Sequence, residues 1–369
     1  MNYMNNYINF YKGENRKEIY KLFYTFMEAI RVDDDETLKR ILHKNCTAEL
    51  STTGCHKGLP AIIHSLRWPG PSMNIRRNTF WNFVSRSNEN RSQSYAYSQC
   101  VYAIKNEKYV YPFVFGGHYC LSYVKDEFDN WKIISIKYDL VFESGNNCFV
   151  KDKWKLIDYN RYYGHKPVIR HYLDAPWEVI TDDVEEQSEE EVIMEILMLA
   201  NYVEDTGAFE ELHKYYTHDF VVDLSARKNK TKNSDISSGQ KFVGITPLID
   251  FVKEKSHKEP KLQHTICYGD LEVRGEEARA WAFRSEYNRL YNRIYTVDNI
   301  HSSVTTLYFD ILFRKENNEW KISSIGSYPM VKFMPLDDDC LQYDDYICNG
   351  VKWSKYSKDE IVSTENCIY

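Results

Sequence analysis

Apolar residues return every three or four positions at two places in the chain. Near the N-terminus this series is formed by Ile19, Leu22, Phe23, Phe26 and Ile30. In the middle of the chain Ser188 and Glu191 have the spacing of a capping box, and an apolar series follows directly: Ile193, Ile196, Leu197 and Ala200. The pattern predicts an amphipathic helix at the start of each half of the chain.

The segments behind the two helices come in the same order. Each half continues with a second helical stretch, a short strand, a segment that begins with glycine, several alternating segments and a Trp-Lys-Ile sequence. The glycine-led segments, GLPAIIHSL at 58–66 and GITPLIDFV at 244–252, predict short helices. In the second of them we expect Thr246 to be the N-cap, because Pro247 suits the first helical position.

The spacing between the halves is nearly constant. Leu38 and Leu212 lie 174 positions apart, and Trp131 and Trp320 lie 189 apart. Most of the difference is one polar insertion, 226–240, whose Ser, Lys and Asn residues predict a loop. A constant order with one insertion indicates a tandem duplication.

An acidic run separates the halves. Seven of the ten residues from 182 to 191 are acidic, which is typical of a solvated linker. The stretch before it, 141–181, is rich in Trp and Tyr, so we expect it to pack onto a domain. The predicted organisation is a first domain at 1–140, an aromatic connector with an acidic end at 141–187, a second domain at 188–335 and an acidic, aromatic tail at 336–369.

Composition excludes several classes of function. Of the 369 residues 43% are hydrophobic and 27% charged, as in globular proteins. The formal net charge is -7 and no basic stripe is evident, which argues against nucleic-acid binding. No apolar stretch approaches a membrane span and the N-terminus lacks a signal-peptide core, so we expect a cytoplasmic protein without a membrane partner.

Cysteine and histidine spacing suggests neither disulfides nor a metal. The nine cysteines are scattered and contain no CxxC pair. No two histidines lie at the i, i+3 or i, i+4 spacing of helical metal ligands. We therefore expect no metal and no cofactor.

The second half ends in a pattern that resembles a known superfamily. It reads Tyr308, Asp310, Leu312, Arg314, Trp320, Lys321 and Ile322. With helices before a sheet-forming region, this resembles the SnoaL-like branch of the nuclear transport factor two-like superfamily, which includes scytalone dehydratase, bile acid dehydratase and polyketide cyclases. The resemblance implies an α+β fold of two tandem cone-shaped domains, each with N-terminal helices on a curved antiparallel sheet. It leaves open a monomeric pseudo-dimer or a homodimer.

The resemblance also implies an acid/base pair. Members that move protons often carry an Asp near the end of the first helix and a His on a strand, and the matching residues here are Asp205 and His264. A His titrates near neutral pH, and a hydrogen-bonded Asp fixes its tautomer. Strand alternation places His264, Ile266 and Tyr268 on one face, which predicts a hydrophobic wall beside the imidazole.

Weaker candidates surround this pair. Bile acid dehydratase-like proteins have a Tyr where this chain has Ala200, and Tyr202 lies nearby on the helix. Substrate contacts are expected from Tyr202, Tyr268, Tyr287 or Tyr308, and Glu286 is a candidate acid partner for His264. The missing Tyr argues against dehydratase activity in particular.

The first half departs from the pattern. Its counterparts are Arg31 for Asp205 and the segment IRRN, 75–78, for His264. We therefore expect a degenerate first domain without the dyad.

Two classes of function remain open. One is a cofactor-independent dehydratase, isomerase or cyclase acting on a hydrophobic small molecule in the second domain. The other is a non-catalytic small-molecule-binding or scaffold protein with a pseudo-dimeric fold. A third hypothesis is the structural small subunit of an aromatic-ring dioxygenase, which shares the fold.

Overall fold

A computed structural model shows how these segments fold. It describes residues 10–105, 109–156, 167–223, 241–253, 261–289, 302–333, 347–348 and 351–353. The chain forms two compact units. The N-terminal unit contains residues 15–185 and the strands at 347–348 and 351–353, and the C-terminal unit contains residues 10–14, 186–289 and 302–333.

The N-terminal unit begins with helices and ends with long strands. Asp34 caps the second helix by accepting a hydrogen bond from the Thr37 N–H. The elements are α1 (Glu14–Val32), α2 (Asp35–Ile41), β1 (Leu42–Leu50), β2 (Gly54–Lys57), α3 (Leu59–Leu66), β3 (Ile75–Ser87), β4 (Arg91–Lys105), β5 (Tyr109–Lys125) and β6 (Trp131–Gly145). The last strand therefore continues five residues past the predicted domain end at 140.

The connector packs on the N-terminal unit. It contains short 3-10 helices at Asn147–Phe149 and His171–Asp174 and a single helical turn, α4 (Pro176–Val179). The Trp154 ring lies 5.2 Å from the Phe115 ring and 5.6 Å from the Trp68 ring, between ring centroids. Contacts between these aromatic rings hold the segment in place.

The C-terminal unit repeats the same order of elements. Ser188 and Glu191 form the expected capping box at the start of its first helix, and Gly207, at φ 74°, ends that helix. The elements are α5 (Glu189–Thr206), a 3-10 helix (Phe209–Lys214), β7 (Tyr216–Asp223), β8 (Lys241–Val243), α6 (Ile245–Phe251), β9 (Lys261–Arg274), β10 (Glu277–Arg289), β11 (Ser302–Glu316) and β12 (Glu319–Phe333).

The two sheets have the same topology. Their strand orders are β2-β1-β6-β5-β4-β3 and β8-β7-β12-β11-β10-β9. In each, one pair is parallel, β1 with β6 and β7 with β12, and the other pairs of these orders are antiparallel. This match confirms the tandem α+β fold that the sequence and the resemblance predicted.

One sequence-based expectation, the cap of the short helix α6, is wrong. Thr246 does not cap α6, because the helix already begins at Ile245 and Gly244, at φ 86°, is its N-cap. In the tail, β14 (Val351–Trp353) pairs with β5 of the N-terminal unit and with β13 (Ile347–Cys348). The predicted loop at 226–240 lies outside the described residues.

The helices of the described part of the chain are too short or too polar to span a bilayer.

Candidate active site

Asp205 and His264 form a buried pair in the C-terminal unit. Asp205 lies in the last turn of α5, and His264 lies near the start of β9. The Asp205 Oδ1 atom hydrogen-bonds His264 Nδ1, and Oδ2 accepts the His264 backbone N–H at 3.1 Å. Their side chains are 1% and 0% exposed. One carboxylate therefore fixes both the ring and the strand that carries it.

The hydrogen bond determines which ring nitrogen can react. An ionised carboxylate only accepts hydrogen bonds, so Nδ1 carries a proton and is the donor in the hydrogen bond to Asp205. In a neutral ring Nε2 is then the unprotonated nitrogen. The pair has the orientation needed for proton transfer through Nε2.

The sheet register places Glu286 opposite His264. Glu286 of β10 is the direct partner of His264 in β9, and its Oε1 lies 4.0 Å from Nε2. Opposed residues of adjacent strands point to the same face of a sheet. The structure therefore brings together three of the residues selected from the sequence: Asp205, His264 and Glu286.

Two further charged residues complete a buried cluster. Arg284 lies on the same face of β10 as Glu286, two positions earlier, and its Nη2 donates to Glu204 Oε2 at 2.9 Å. Glu204 immediately precedes Asp205 in α5. Burial works against the charge of Arg284, but Glu204, Glu286 and Asp205 raise its pKa above the ordinary value.

Sequence reasoning missed Glu204 and Arg284. A signal was nevertheless present in β10, where Ala278, Ala280 and Ala282 alternate with larger residues before Arg284 and Glu286 continue the series. A charged residue on the buried face of a strand needs partners of opposite charge. The alternation in β10 therefore identifies Arg284 as a candidate member of a buried ion-pair cluster.

The candidate tyrosines take different positions. Tyr268 is buried on the His264 face, and its pKa is raised by burial and by Tyr216. Tyr202 is buried in α5, one turn before Asp205. Tyr308 lies on the opposite face of the sheet, where its ring contacts those of Phe283 and Tyr328. The side chain of Tyr287 lies outside the described part of the chain.

Apolar side chains adjoin the cluster. Ile266 pairs with Arg284 in the register, and Leu307 pairs with Arg284 from the other side. The Phe309 ring centre lies 5.6 Å from the Arg284 guanidinium carbon. All three apolar residues are buried. Buried apolar side chains thus border the charged cluster that contains the proton-carrying groups.

The equivalent place in the N-terminal unit has different chemistry. Asn78 takes the position of His264 and pairs with Cys100 as His264 pairs with Glu286. The Asn78 side chain donates to the Met27 carbonyl at 3.1 Å, and Arg31, the counterpart of Asp205, binds Glu28 in its own helix. Neighbouring aromatic rings are in mutual contact: Phe23, Phe26, Phe80, Phe83, Tyr119 and Tyr138.

The fold also assembles one exposed group of possible metal ligands. Donor atoms of His218, Asp219 and Glu316 lie within 4.8 Å of one another. However, Arg314 pairs with Asp219, and Lys321 lies 3.8 Å from Glu316. His218 is 79% exposed. These contacts form a surface ion-pair network.

The described cysteines are free thiols.

Comparison with known proteins gives matches only among solved structures. No protein-family model matches the chain, and no curated protein sequence matches it. One similar structure is the Kfla4162 protein from Kribbella flavida, at 15% identity and a TM-score of 0.33, covering 37% of this chain and 96% of its own. Another is a protein with a cystatin-like fold from Nostoc punctiforme, at 14% identity and a TM-score of 0.27, covering 34% and 90%.

A third similar structure is an enzyme. It is the hexachlorocyclohexane dehydrochlorinase LinA-type3 from Novosphingobium barchaimii, at 12% identity and a TM-score of 0.30, covering 36% of this chain and 89% of its own. Each of these proteins matches a length close to that of one unit. The repeated element order and the sheet register, described above, give the fold.

Proposed function

We propose that the C-terminal unit is a cofactor-independent acid/base enzyme of the dehydratase, isomerase or cyclase type, acting on a hydrophobic small molecule. The observation that carries this proposal is the buried pair of Asp205 and His264. A buried imidazole held by a carboxylate through Nδ1 is suited to repeated proton transfer.

In the proposed mechanism His264 is the proton carrier. Its neutral Nε2 takes a proton from a substrate carbon next to an electron-withdrawing group, or, once charged, gives a proton to a leaving hydroxyl. Asp205 keeps the tautomer and stabilises the imidazolium that forms. A positioned acid or base of this kind contributes about 10²- to 10⁴-fold to a rate.

Glu286 is the second acid/base group in this proposal. The 4.0 Å between its Oε1 and His264 Nε2 exceeds hydrogen-bond distance. A substrate oxygen or C–H group that approaches both atoms can exchange protons with each. The apolar neighbours Ile266, Leu307 and Phe309 favour a hydrophobic substrate.

The N-terminal unit has a supporting role in this proposal. Asn78 and Cys100 occupy the positions of His264 and Glu286, and neither matches the imidazole or the carboxylate in function. Burial raises the pKa of the Cys100 thiol far above neutrality, so that group stays protonated.

The test is conversion of unlabelled probes in heavy water. Full-length protein is incubated with a panel of aromatic and alicyclic ketones and hydroxy-ketones, and mass spectrometry follows loss of water or gain of deuterium. We expect conversion of at least one probe by the native chain, and a loss of about 100-fold or more in His264→Gln. The matched control is His218→Gln, which changes an exposed histidine of the same unit.

Two results would contradict the enzyme. The first is full turnover in a folded His264→Gln variant. The second is tight binding of probes by the native chain with neither water loss nor deuterium exchange, which would support the binding or scaffold protein instead.

A further inference from the structure

Arg284 is a buried cation within the charged cluster of the C-terminal unit. The residue is 9% exposed. Its Nη2 donates to Glu204 Oε2 at 2.9 Å, and its Nε lies 3.7 Å from Glu286 Oε1. A buried guanidinium is costly to desolvate, so its presence depends on these carboxylates.

The two partners come from the two elements that surround His264. Glu204 precedes Asp205 in α5, and Glu286 faces His264 from β10. The planar guanidinium can contact two carboxylates at once, whereas a lysine ammonium acts as a point charge. Arg284 therefore joins the end of α5 to the strand opposite the imidazole.

The two contacts of Arg284 differ in kind. The contact with Glu204 is a charged hydrogen bond. Nε of Arg284 has no hydrogen-bond partner among the described residues, and the 3.7 Å to Glu286 is too long for one. Glu286 is thus attracted by charge from this side without a fixed hydrogen-bond geometry.

The charges around His264 can be named from each described element that packs against it. The helix α5 supplies Asp205 and Glu204, and β10 supplies Glu286 and Arg284. The phenols of Tyr268 on β9 and Tyr216 on β7 are neutral, because burial raises the pKa of each. A positive charge near an imidazole disfavours its protonated form, and the carboxylates favour it.

We propose that Arg284 is a positioning residue of this site, which holds Glu204 and Glu286 in place on the two elements that adjoin His264. The consequence for turnover rests on the proposed function. The effect on His264 itself does not, because it is measured without a substrate.

The experiment is an NMR titration of the histidine rings in full-length, isotope-labelled protein, with His264→Gln assigning the signal. In Arg284→Met, which removes the charge and keeps an extended chain, we expect the midpoint of the His264 titration to rise by about one pH unit. Arg284→Lys keeps the charge and should leave the midpoint near that of the native chain.

Arg279→Met is the matched control on the same strand. Arg279 lies on the opposite face of β10, pairs with Asp310 and stacks over Trp281. Its removal should not move the His264 midpoint. If Arg284→Met does not fold, Arg284→Gln is used, because it removes the charge but keeps a donor for Glu204.

The outcomes separate the two proposals. An unchanged His264 midpoint in folded Met and Gln variants of Arg284 would overturn the positioning role, whatever the enzyme assay shows. A raised midpoint in those variants, with Arg279→Met and Arg284→Lys unchanged, supports it. A raised midpoint in a protein that converts no probe would support the role of Arg284 and count against the enzyme.

Discussion

Asp205 binds His264 at two points, the ring Nδ1 and the backbone N–H. The second bond ties the carboxylate to the strand itself, so the ring and its support move together. Replacement of the carboxylate by an amide therefore changes the proton chemistry and preserves the contact with the strand, because an amide oxygen can still accept the hydrogen bond from the His264 backbone N–H.

We predict that Asp205→Asn folds but loses proton transfer. The amide cannot stabilise an imidazolium as a carboxylate does, and it can select the wrong tautomer. Turnover of any probe that the native chain converts should fall by about 10²-fold or more. Circular dichroism checks the fold and the mass-spectrometric assay checks the rate. Native-like turnover in this variant would remove Asp205 from the mechanism.

Arg31→Ala should leave turnover unchanged. Arg31 occupies the position equivalent to Asp205, but it pairs with Glu28 in its own helix, where both side chains are partly exposed. Such i, i+3 pairs contribute about 0.2 to 0.5 kcal/mol to helix stability. Steady-state rates of Arg31→Ala and Asp205→Ala give the comparison. Loss of turnover in the first and not in the second would place the chemistry in the N-terminal unit.

Asp174→Asn should destabilise the N-terminal unit. The Asp174 carboxylate is buried and accepts hydrogen bonds from Lys137 at 2.9 Å, from the Arg170 backbone N–H at 2.7 Å and from Arg170 Nη2 at 3.0 Å. Removal of one partner from a buried ion pair costs about 3 kcal/mol or more. Urea unfolding at neutral pH measures the loss, and Glu36→Gln, in an exposed pair with Lys39, is the control.

The same residue predicts a pH dependence. Burial disfavours the Asp174 charge, but the bonds from Arg170 and Lys137 outweigh burial and hold its pKa below the ordinary 3.8. The lowered pKa means that the stabilisation is complete above the unfolded-state pKa and is lost as the pH falls through the folded-state value. The stability difference between Asp174→Asn and the native chain should therefore shrink below about pH 4. A constant difference down to acid pH would contradict this assignment.

Ser188→Ala should weaken the start of α5. The Ser188 hydroxyl accepts the Glu191 N–H at 3.3 Å, and the Glu191 carboxylate accepts the Ser188 N–H at 2.7 Å. Loss of such a cap costs about 1 kcal/mol, whereas Ser188→Gly should cost only a few tenths. Thermal unfolding of both variants gives the comparison. Equal stability of Ala and Gly variants would show that the cap does not matter here.

Much of the fold could be predicted because local patterns repeat. The capping box at Ser188 and the terminal Trp-Lys-Ile segments both depend on residues close in sequence. The prediction for the cap of α6 is wrong because Gly244, with positive φ, turns the chain two residues earlier than the Thr-Pro pair suggests.

The site was only partly predictable. Asp205 and His264 could be selected from the family pattern, and Glu286 from its position near them. Arg284 and Glu204 depend on the register between β9 and β10 and on where α5 ends, which are tertiary properties. The face that Tyr308 occupies depends likewise on the phase of β11 relative to β10.

Glu185 connects the two ends of the N-terminal unit. Its carboxylate accepts the backbone N–H groups of Asn15 and Arg16 at 3.1 Å each, and its carbonyl accepts from the fully buried Arg16 side chain at 2.6 Å. The start of the first helix is therefore bonded by a residue 170 positions downstream. While the chain is being synthesised this contact can form only after Glu185 has left the ribosome, so in a shorter nascent chain water must bond the first N–H groups of the helix.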